Sequence, residues 1–268
     1  MMKMVALGSK YSFEELVEIV RLLRSDKGCP WDQEQDHKSM KYAAVEEAYE
    51  LMEAIDNMDL DNLREELGDL MLQVVFHSQI GSEEGTFTLE DVIDGIASKL
   101  VYRHPHVFST TEVANANEVL HNWEALKLKE KDITSTTEDM KKVPLALPAQ
   151  IRARKVQKKA AKAGMDFERI EDVFEKVDEE IGELKEAIEL GDPRAIEDEF
   201  GDLLFGMVNL SRFLSLNPEN ALTNALEKFI TRFEGIENLA KASDKELSDL
   251  SPEQLDKMWE TIKMIDNR

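Results

Sequence analysis

One acidic pattern occurs twice in this chain, and the two copies have the same internal spacing. The first copy consists of Glu47, Glu50, Glu66 and Asp69, and the second consists of Glu180, Glu183, Glu199 and Asp202. Every member of the second copy lies 133 positions after its counterpart, so neither copy has an insertion between its motifs. Duplication of one module is the economical explanation. We therefore expect two similar folded units rather than one large domain.

A weaker sequence similarity between the two halves follows each acidic pattern. A basic pair with four-residue spacing and a later tryptophan occur in both halves, as Lys99, Arg103 and Trp123 and as Lys228, Arg232 and Trp259. Their offsets differ from that of the carboxylates, as expected if the loops of the two copies differ in length. The repeat therefore extends beyond the acidic motifs.

Apolar residues recur with helical spacing through most of the sequence. Ser12 and Glu15 form a capping box before the first such stretch, and Pro218 and Pro252 follow cap residues at later helix starts. Helices are predicted at about 12–24, 38–55, 60–80, 88–102, 149–162, 171–190, 193–216, 218–240 and 252–265. No segment requires a strand, so the predicted fold class is all-α, with two tandem helical-bundle modules.

The residue composition changes between positions 129 and 148. Ser135, Thr136 and Thr137 lie among charges, and Pro144 and Pro148 follow. Such a stretch is typical of a linker. The predicted division is an N-terminal module at 1–130, a linker at 131–148 and a C-terminal module at 149–268.

The charge balance restricts the partners. Lys and Arg number 33 against 56 Asp and Glu, which gives a formal net charge of −23. This field repels nucleic acid and anionic membranes, so an anionic ligand needs a metal ion or a local basic cluster. Cys29 is the only cysteine, and no signal peptide or membrane-length apolar run is evident. We expect a cytoplasmic protein that binds neither nucleic acid nor membrane.

Each acidic motif predicts a cluster of four carboxylates. Residues three apart share a helix face, and a short connection between the two helices predicts an antiparallel hairpin. Gly68 and Gly201 lie inside helical patterns, and close approach of the two helices is the expected reason. Oxygen ligands without His or Cys favour Mg²⁺, with Mn²⁺ as a substitute. Because Mg²⁺ shares its ligation with phosphates, the cluster indicates phosphate chemistry, whereas a lone acidic pair is usually only a solvated face.

These motifs resemble those of the all-α nucleoside triphosphate pyrophosphohydrolases. The segment 28–32, which reads GCPWD, and the segment 103–108, which reads RHPHVF, resemble the full-length tandem form of the MazG family. The resemblance covers essentially the whole chain, and the combination of motifs is highly specific. One departure is Asp36, which precedes His37 where the family commonly has threonine.

The resemblance implies Mg²⁺-dependent hydrolysis of ribo- and deoxyribonucleoside triphosphates, with broad base tolerance, to a monophosphate and pyrophosphate. It implies metal ligation by Glu180, Glu183, Glu199 and Asp202. It also implies phosphate contacts from Lys176, Lys228 and Arg232, and nucleotide contacts from Trp259 and Asn209. Glu179 is a candidate for orienting the attacking water. The family further implies a homodimer in which helices of two chains complete each bundle.

The second copy is the expected catalyst. The first copy keeps its carboxylates as a second metal site, but it has Ala43 and Phe76 where the second has Lys176 and Asn209. Structural roles are expected for His104 and His106 of the first half. The ring of Trp31 could stack on a nucleobase, but a core position that caps the hairpin is the favoured interpretation.

Three other functions fit parts of the pattern. A nucleotide-sensing or partner-binding module would hold Mg²⁺ and a triphosphate without hydrolysis. A helical scaffold would bind neither, and an enzyme of the same fold could act on phosphoribosyl-ATP. Release of pyrophosphate from nucleoside triphosphates separates hydrolysis from the first two.

Overall fold

The computed structural model describes residues 10–266, which contain thirteen α-helices, one short 3-10 turn and no strand. This confirms the predicted all-α class. The chain divides into two compact units, Met1–Lys127 and Leu128–Arg268. Seven helices begin in the first unit: α1 (Phe13–Leu23), α2 (Pro30–Glu34), α3 (Ala43–Asp56), α4 (Leu60–Glu84), α5 (Leu89–Arg103), α6 (Pro105–Phe108) and α7 (Ala116–Glu130). Six helices lie in the second unit: α8 (Thr136–Lys141), α9 (Ala149–Lys162), α10 (Ile170–Leu190), α11 (Pro193–Phe213), α12 (Pro218–Ala242) and α13 (Pro252–Asp266).

The first unit is organised around the hairpin of α3 and α4. Helices α1 and α5 both pack against α4. The buried core joins α1, the turn before α3 and α4 through apolar side chains, namely Val20, Met40, Val75, Phe76 and Ile80. Helix α1 begins with the predicted capping box, in which Ser12 and Glu15 satisfy each other's backbone N–H groups. The local signals of the sequence therefore fix where α1 begins.

The loop after α1 is held by a buried arginine. The Arg24 side chain is only 5% exposed, and its guanidinium donates to the Glu83 carboxylate at 2.7 Å and to the Gln35 carbonyl at 3.0 Å. Its charged carbon lies 5.0 Å from the centre of the Phe76 ring. A Cβ added to Gly28 would lie 2.1 Å from the Leu23 carbonyl oxygen, so only glycine fits there. The loop is thus fixed by sterics at one end and by charge at the other.

The second unit is organised around the matching hairpin of α10 and α11. Helix α9 packs against α11, and α12 packs against α9 and α13. The buried side chain of Gln157 on α9 donates to the Phe205 carbonyl of α11 at 2.8 Å. Asp192 caps α11 and Asn217 caps α12, each followed by proline at the first helical position. The predicted cap-then-proline start of α12 is confirmed.

The segment predicted as a linker contains helix α8. Its N-cap, Ser135, accepts a hydrogen bond from the backbone of Glu138 at 3.1 Å. The helix packs against α9, where Asp139 forms an ion pair with Lys159. This segment therefore belongs to the second unit, because a cap and a cross-helix ion pair order a stretch that composition alone marks as a linker.

The expected reason for the two glycines beside the acidic motifs is wrong. A Cβ added at Gly68 or Gly201 meets no atom within 4 Å in the part of the chain that the structure describes. The two glycines therefore do not permit close approach within a hairpin. Leu67 and Phe200, the residues that precede them, are each about half exposed.

The same contact between an arginine and a tryptophan occurs once within each unit. In the first, the Arg103 guanidinium lies 5.3 Å from the centre of the Trp123 ring, and in the second Arg232 lies 5.8 Å from Trp259. This matching contact supports the interpretation that the arginine and the tryptophan of each half belong to the repeat. Among the helices of residues 10–266, none has the length and apolarity that crossing a bilayer requires.

Candidate active site

The hairpin of the second unit brings acidic side chains of two helices together. One carboxylate oxygen from each of Glu180, Glu199 and Asp202 lies within 4.8 Å of the other two. Glu180 comes from α10 and the other two come from α11, as the antiparallel arrangement predicts. Glu183 is exposed and lies outside this close group. Three of the four predicted ligands therefore converge within the hairpin.

The cluster carries strong mutual repulsion. Burial and the charges of Glu183, Glu180 and Asp202 raise the pKa of the Glu199 carboxyl. Glu183 thus acts electrostatically on the cluster although it is not among its closest members. Such a group either takes up protons or attracts cations.

Lys176 provides an internal cation. Its ammonium lies 2.8 Å from carboxylate oxygens of both Glu179 and Glu180. These hydrogen bonds, first to Glu179 and then to Glu180, raise the pKa of Lys176. Lys176 is therefore joined directly to a predicted metal ligand.

The side chain of Glu180 leaves one oxygen without a partner. Glu180 is only 6% exposed, and its Oε2 is buried with no hydrogen bond among the described residues. A buried carboxylate oxygen without a donor is costly. A hard divalent cation between Glu180, Glu199 and Asp202 would satisfy it with the oxygen chemistry that Mg²⁺ prefers.

Asn209 lies two turns after Asp202, on the same face of α11. Its carbonyl oxygen accepts hydrogen bonds from the Arg212 guanidinium at 3.0 and 2.9 Å. Arg212 is itself paired with Asp166, which lies after the end of α9. Because the carbonyl oxygen is occupied, the amide N–H groups of Asn209 are the part left to meet a ligand.

The remaining predicted substrate residues lie on α12 and α13. Arg232 binds Asp266 at 2.9 Å and lies over Trp259, whose ring packs 5.5 Å from that of Phe229. Lys228 is exposed. Within residues 10–266, no hydrogen bond or ion pair links these basic side chains to the acidic cluster. One chain therefore brings Lys176 to the carboxylates but leaves Lys228, Arg232 and Trp259 apart from them.

The first unit repeats the carboxylate cluster with different surroundings. Oxygens of Glu47, Glu66 and Asp69 lie within 4.8 Å of one another, and Glu50 is exposed outside the group. Burial, and then the neighbouring carboxylates, raise the pKa values of both Glu47 and Glu66. Phe76, which replaces Asn209, is buried in the core. The acidic geometry is conserved between the copies, but the polar residues around it are not.

The MazG nucleotide pyrophosphohydrolase domain model matches this chain twice, at residues 35–108 and 168–236. Both acidic hairpins lie inside the matched ranges. A Thermotoga maritima protein named nucleoside triphosphate pyrophosphohydrolase/pyrophosphatase MazG is 47% identical over 94% of this chain and 95% of its own length. The chain belongs to the MazG family.

Two further relatives show how far the similarity extends. The nucleoside triphosphate pyrophosphohydrolase of Escherichia coli is 39% identical over 93% of this MazG-family chain and 96% of its own length. The uncharacterized protein YabN of Bacillus subtilis is 48% identical over 96% of this chain, which matches 53% of that protein. The tandem arrangement is thus shared with full-length relatives.

The expected position of Trp31 in this MazG chain is wrong. Trp31 is 59% exposed, whereas a core residue was expected. It lies on the short helix α2, whose backbone carbonyls accept hydrogen bonds from the side chains of Gln35 and Arg24. These bonds hold the backbone of α2 and leave the indole ring outside the core. His104 bonds through Nδ1 to the Leu100 carbonyl at 2.7 Å, a contact within the fold.

Sequence reasoning missed two groups beside the acidic clusters. Arg212 and Asp166, which hold Asn209, are 46 positions apart, and only the one-turn spacing of Arg212 from Asn209 was a signal. Gln73 lies one turn after Asp69, and its side chain partly offsets the rise in the pKa of the Glu47 carboxyl that burial and the neighbouring carboxylates cause. Its counterpart 133 positions later is Gly206, so the repeat itself marks the difference.

Proposed function

We propose that the second unit hydrolyses nucleoside triphosphates to nucleoside monophosphate and pyrophosphate, with Mg²⁺ as cofactor. The convergence of Glu180, Glu199 and Asp202 beside Lys176 carries this proposal. The names of the Thermotoga maritima and Escherichia coli relatives support it. The proposed substrates include ribo- and deoxyribonucleotides of several bases. A nucleotide substrate and a single cysteine fit the cytoplasmic location expected from the sequence.

The acidic cluster and the substrate have charge of the same sign, so a cation must lie between them. Bound Mg²⁺ supplies Lewis-acid polarisation of the phosphoryl oxygens and lowers the pKa of the attacking water. Glu180, Glu199 and Asp202 would hold the ion, with Glu183 close enough to add its charge. The ion would coordinate Oε2 of Glu180, which has no hydrogen-bond partner among the described residues.

The residues of the chain divide the remaining work. Lys176 is free to exchange its contacts with Glu179 and Glu180 for phosphate oxygens, where its charge opposes the negative charge that develops. Glu179 would then be released to accept a hydrogen bond from the attacking water. Asn209, whose carbonyl is held by Arg212, presents its amide N–H groups to the nucleotide.

The direct test is product analysis on the full chain. We expect nucleoside monophosphate and pyrophosphate in equal amounts from several nucleoside triphosphates, measured by anion-exchange chromatography. Addition of EDTA should abolish turnover and excess Mg²⁺ should restore it, because the proposed reaction needs a divalent cation on the carboxylate cluster. Binding without turnover would instead favour the nucleotide-sensing alternative, and release of orthophosphate would contradict the proposed bond cleavage.

The proposal includes a homodimer that completes the site. Lys228, Arg232 and Trp259 are separate from the carboxylates in one chain. Large apolar side chains of α11 and α12 are about half exposed, namely Phe200, Leu204, Phe205, Met207, Leu222, Leu226, Phe229, Ile230 and Phe233. Such an extensive exposed apolar surface is uncommon on a monomer. A second copy of the chain would cover it and bring basic residues towards the acidic cluster.

Sedimentation equilibrium of the full chain tests this arrangement. We expect twice the 30.6 kDa mass of one chain at micromolar concentration. Replacing Leu226 and Ile230 with aspartate should shift the mass towards one chain and lower hydrolysis in parallel. A monomer with full activity would contradict the shared site.

A further inference from the structure

A polar network of three side chains, Asp166, Arg212 and Asn209, joins the turn after α9 to the last turns of α11. Asp166 accepts hydrogen bonds from the guanidinium of Arg212 through both carboxylate oxygens. The same guanidinium donates from Nε and Nη2 to the side-chain oxygen of Asn209, at 3.0 and 2.9 Å. The side chain of Arg212 is only 17% exposed. Two edges of the guanidinium are therefore occupied by acceptors of the chain itself.

The backbone after α9 determines where the Asp166 carboxylate lies. Helix α9 packs against α11, which carries Arg212. At the end of α9, Gly164 has a φ of 92°, which favours glycine, and the N–H of Met165 donates to the Ala160 carbonyl at 3.0 Å. This turn brings Asp166 back to α11, so the partner of Arg212 is fixed although it lies in a connecting segment.

Arg212 determines which end of the Asn209 amide is free. An arginine side chain has five N–H donors and no acceptor, so only the oxygen of an amide can face it. The amide nitrogen of Asn209 is therefore turned away from Arg212, and it donates to no acceptor of the chain within residues 10–266. Without this partner, the amide could rotate by half a turn and present its oxygen instead. With it, Asn209 presents donors only.

The position of Asn209 places these donors beyond the acidic cluster. Asn209 follows Asp202 by seven residues, so it lies on the same face of α11 and about 10 Å further along the helix axis. A cation held by Glu199 and Asp202 would keep the phosphates of a nucleotide beside the cluster. The N–H groups of Asn209 then face the nucleoside end of the ligand rather than the bond that is cleaved.

The first unit lacks the polar network. The positions 133 residues before Asn209 and Arg212 are Phe76 and Gln79. Phe76 is buried in the apolar core, and Gln79 donates to Glu83 at 2.8 Å. An arginine that only stabilised the shared hairpin would be expected in both copies. Its restriction to the copy that has the asparagine links Arg212 to the function of Asn209.

We propose that Arg212 and Asp166 are positioning residues, which hold the Asn209 amide so that its N–H groups donate to the nucleoside part of the substrate. This inference rests on the proposed function, because it assigns how the same site holds its nucleotide. Arg212 acts through Asn209, and Asp166 acts through Arg212, so neither contacts the ligand. The polar network therefore determines nucleotide affinity and leaves bond cleavage to the residues at the acidic cluster.

A double-mutant cycle on the full chain tests whether Arg212 acts through Asn209. We expect Arg212→Met and Asn209→Ala each to raise KM for nucleoside triphosphates by roughly tenfold, with kcat changed by less than about threefold. The variant with both changes should have the KM of Asn209→Ala alone, because the amide that Arg212 holds is then absent. Effects that multiply in the double variant would overturn the proposal, and so would an unchanged KM in either single variant.

Asn209→Asp separates hydrogen-bond donation from stability. Aspartate keeps the shape and offers Arg212 a charged acceptor, so the thermal midpoint should not fall. Because aspartate has no N–H to donate, KM should rise at least as much as in Asn209→Ala. A KM equal to that of the unaltered chain would contradict the assigned role of the amide. Arg194→Met makes the Arg212→Met substitution at an exposed position of the same helix, and it should leave KM unchanged.

Asp166→Ala tests the outer member of the polar network. Arg212 would keep its bonds to Asn209 but lose the carboxylate that anchors it, so KM should rise by a smaller factor, about threefold. In the Arg212→Met background, Asp166→Ala should have no further effect on KM. A further rise there would show that Asp166 acts on the nucleotide by another route and would contradict its assignment.

Binding of a nucleotide that cannot be cleaved separates this inference from the proposed function. The probe is deoxyadenosine triphosphate with a methylene group between the α and β phosphorus atoms, titrated calorimetrically in the presence of Mg²⁺. Each variant should weaken Kd by the factor by which it raises KM. If the unaltered chain bound this analogue without hydrolysing nucleotides, the proposed function would fail and the Kd values would still decide the role of the polar network. Equal Kd values in all variants would overturn the positioning role alone, and no binding to the unaltered chain would overturn both.

Discussion

Glu180→Ala is expected to reduce hydrolysis of nucleoside triphosphates by the full chain by on the order of a thousandfold or more, which corresponds to about 4 kcal/mol of transition-state stabilisation. Glu180 provides a buried carboxylate to the cluster, and its Oε2, which has no hydrogen-bond partner among the described residues, would bind the proposed cation. Its loss also removes a partner of Lys176. Initial rates of pyrophosphate release in saturating Mg²⁺ measure the effect. Asp202→Ala should have an effect of similar size, because Asp202 is one of the two members of the cluster that come from the opposing helix.

The repeat provides the matched control. Glu47→Ala changes the same residue type at the same position of the first unit, and we expect it to leave most of the activity. The first unit lacks the counterparts of Lys176 and Asn209, so its cluster has no group to stabilise charge on a phosphate. Retained activity in Asp202→Ala together with loss in Glu47→Ala would reverse the assignment of the catalytic unit. Loss in both would show that each cluster is required.

Local signals in the sequence were sufficient for most of the helices. Ser12 with Glu15 and Asn217 with Pro218 fix helix starts through contacts between residues a few positions apart. Such contacts depend only on the chain near the cap, so pattern reading detects them. Among the described residues, four helices were missed: α2, α6 and α8 are too short to show a period, and the 15-residue helix α7 buries none of its side chains. Helix α8 is ordered by its ion pair with Lys159, which no local pattern contains.

The acidic clusters were predictable because the repeat fixes their register. Four carboxylates that recur with one offset of 133 positions indicate a shared function, and hairpin geometry then brings three of them together. Glu50 and Glu183 were expected among the ligands, yet both side chains are exposed at the edge of their clusters. Spacing of three residues places two side chains on one face, but it does not fix how deeply each enters the hairpin.

Contacts between helices that are distant in sequence could not be predicted in the same way. Arg24 contacts Glu83 across 59 positions, and Arg212 contacts Asp166 across 46. These pairs depend on how separate helices cross, and helical periodicity carries no information on that. The exposure of Trp31 could not be predicted either, because tryptophan favours the core only on average. Comparison of the two copies, by contrast, showed from sequence alone that Ala43 and Phe76 stand in the first copy where the second has Lys176 and Asn209.

Lys176→Met is expected to lower kcat/KM for nucleoside triphosphates by roughly a hundredfold. The ammonium is the only cation that forms an ion pair with the second cluster among residues 10–266, and methionine keeps its length without its charge. At the same time, Mg²⁺ or Mn²⁺ should bind the nucleotide-free second unit more tightly, because the ammonium no longer competes for Glu180. Steady-state kinetics and titration with Mn²⁺ measure the two effects on the same protein.

The opposite signs of these two effects separate a phosphate-binding lysine from a structural one. A lysine that only stabilises α10 would, when removed, weaken both cation binding and turnover together. Lys185→Met makes the same substitution at an exposed position of the same helix, and neither quantity should change. If Lys176→Met retained kcat/KM within a few-fold, the triphosphate would have to be held by basic residues of α12 alone, and the second cluster would need its dimer partner for all of its positive charge.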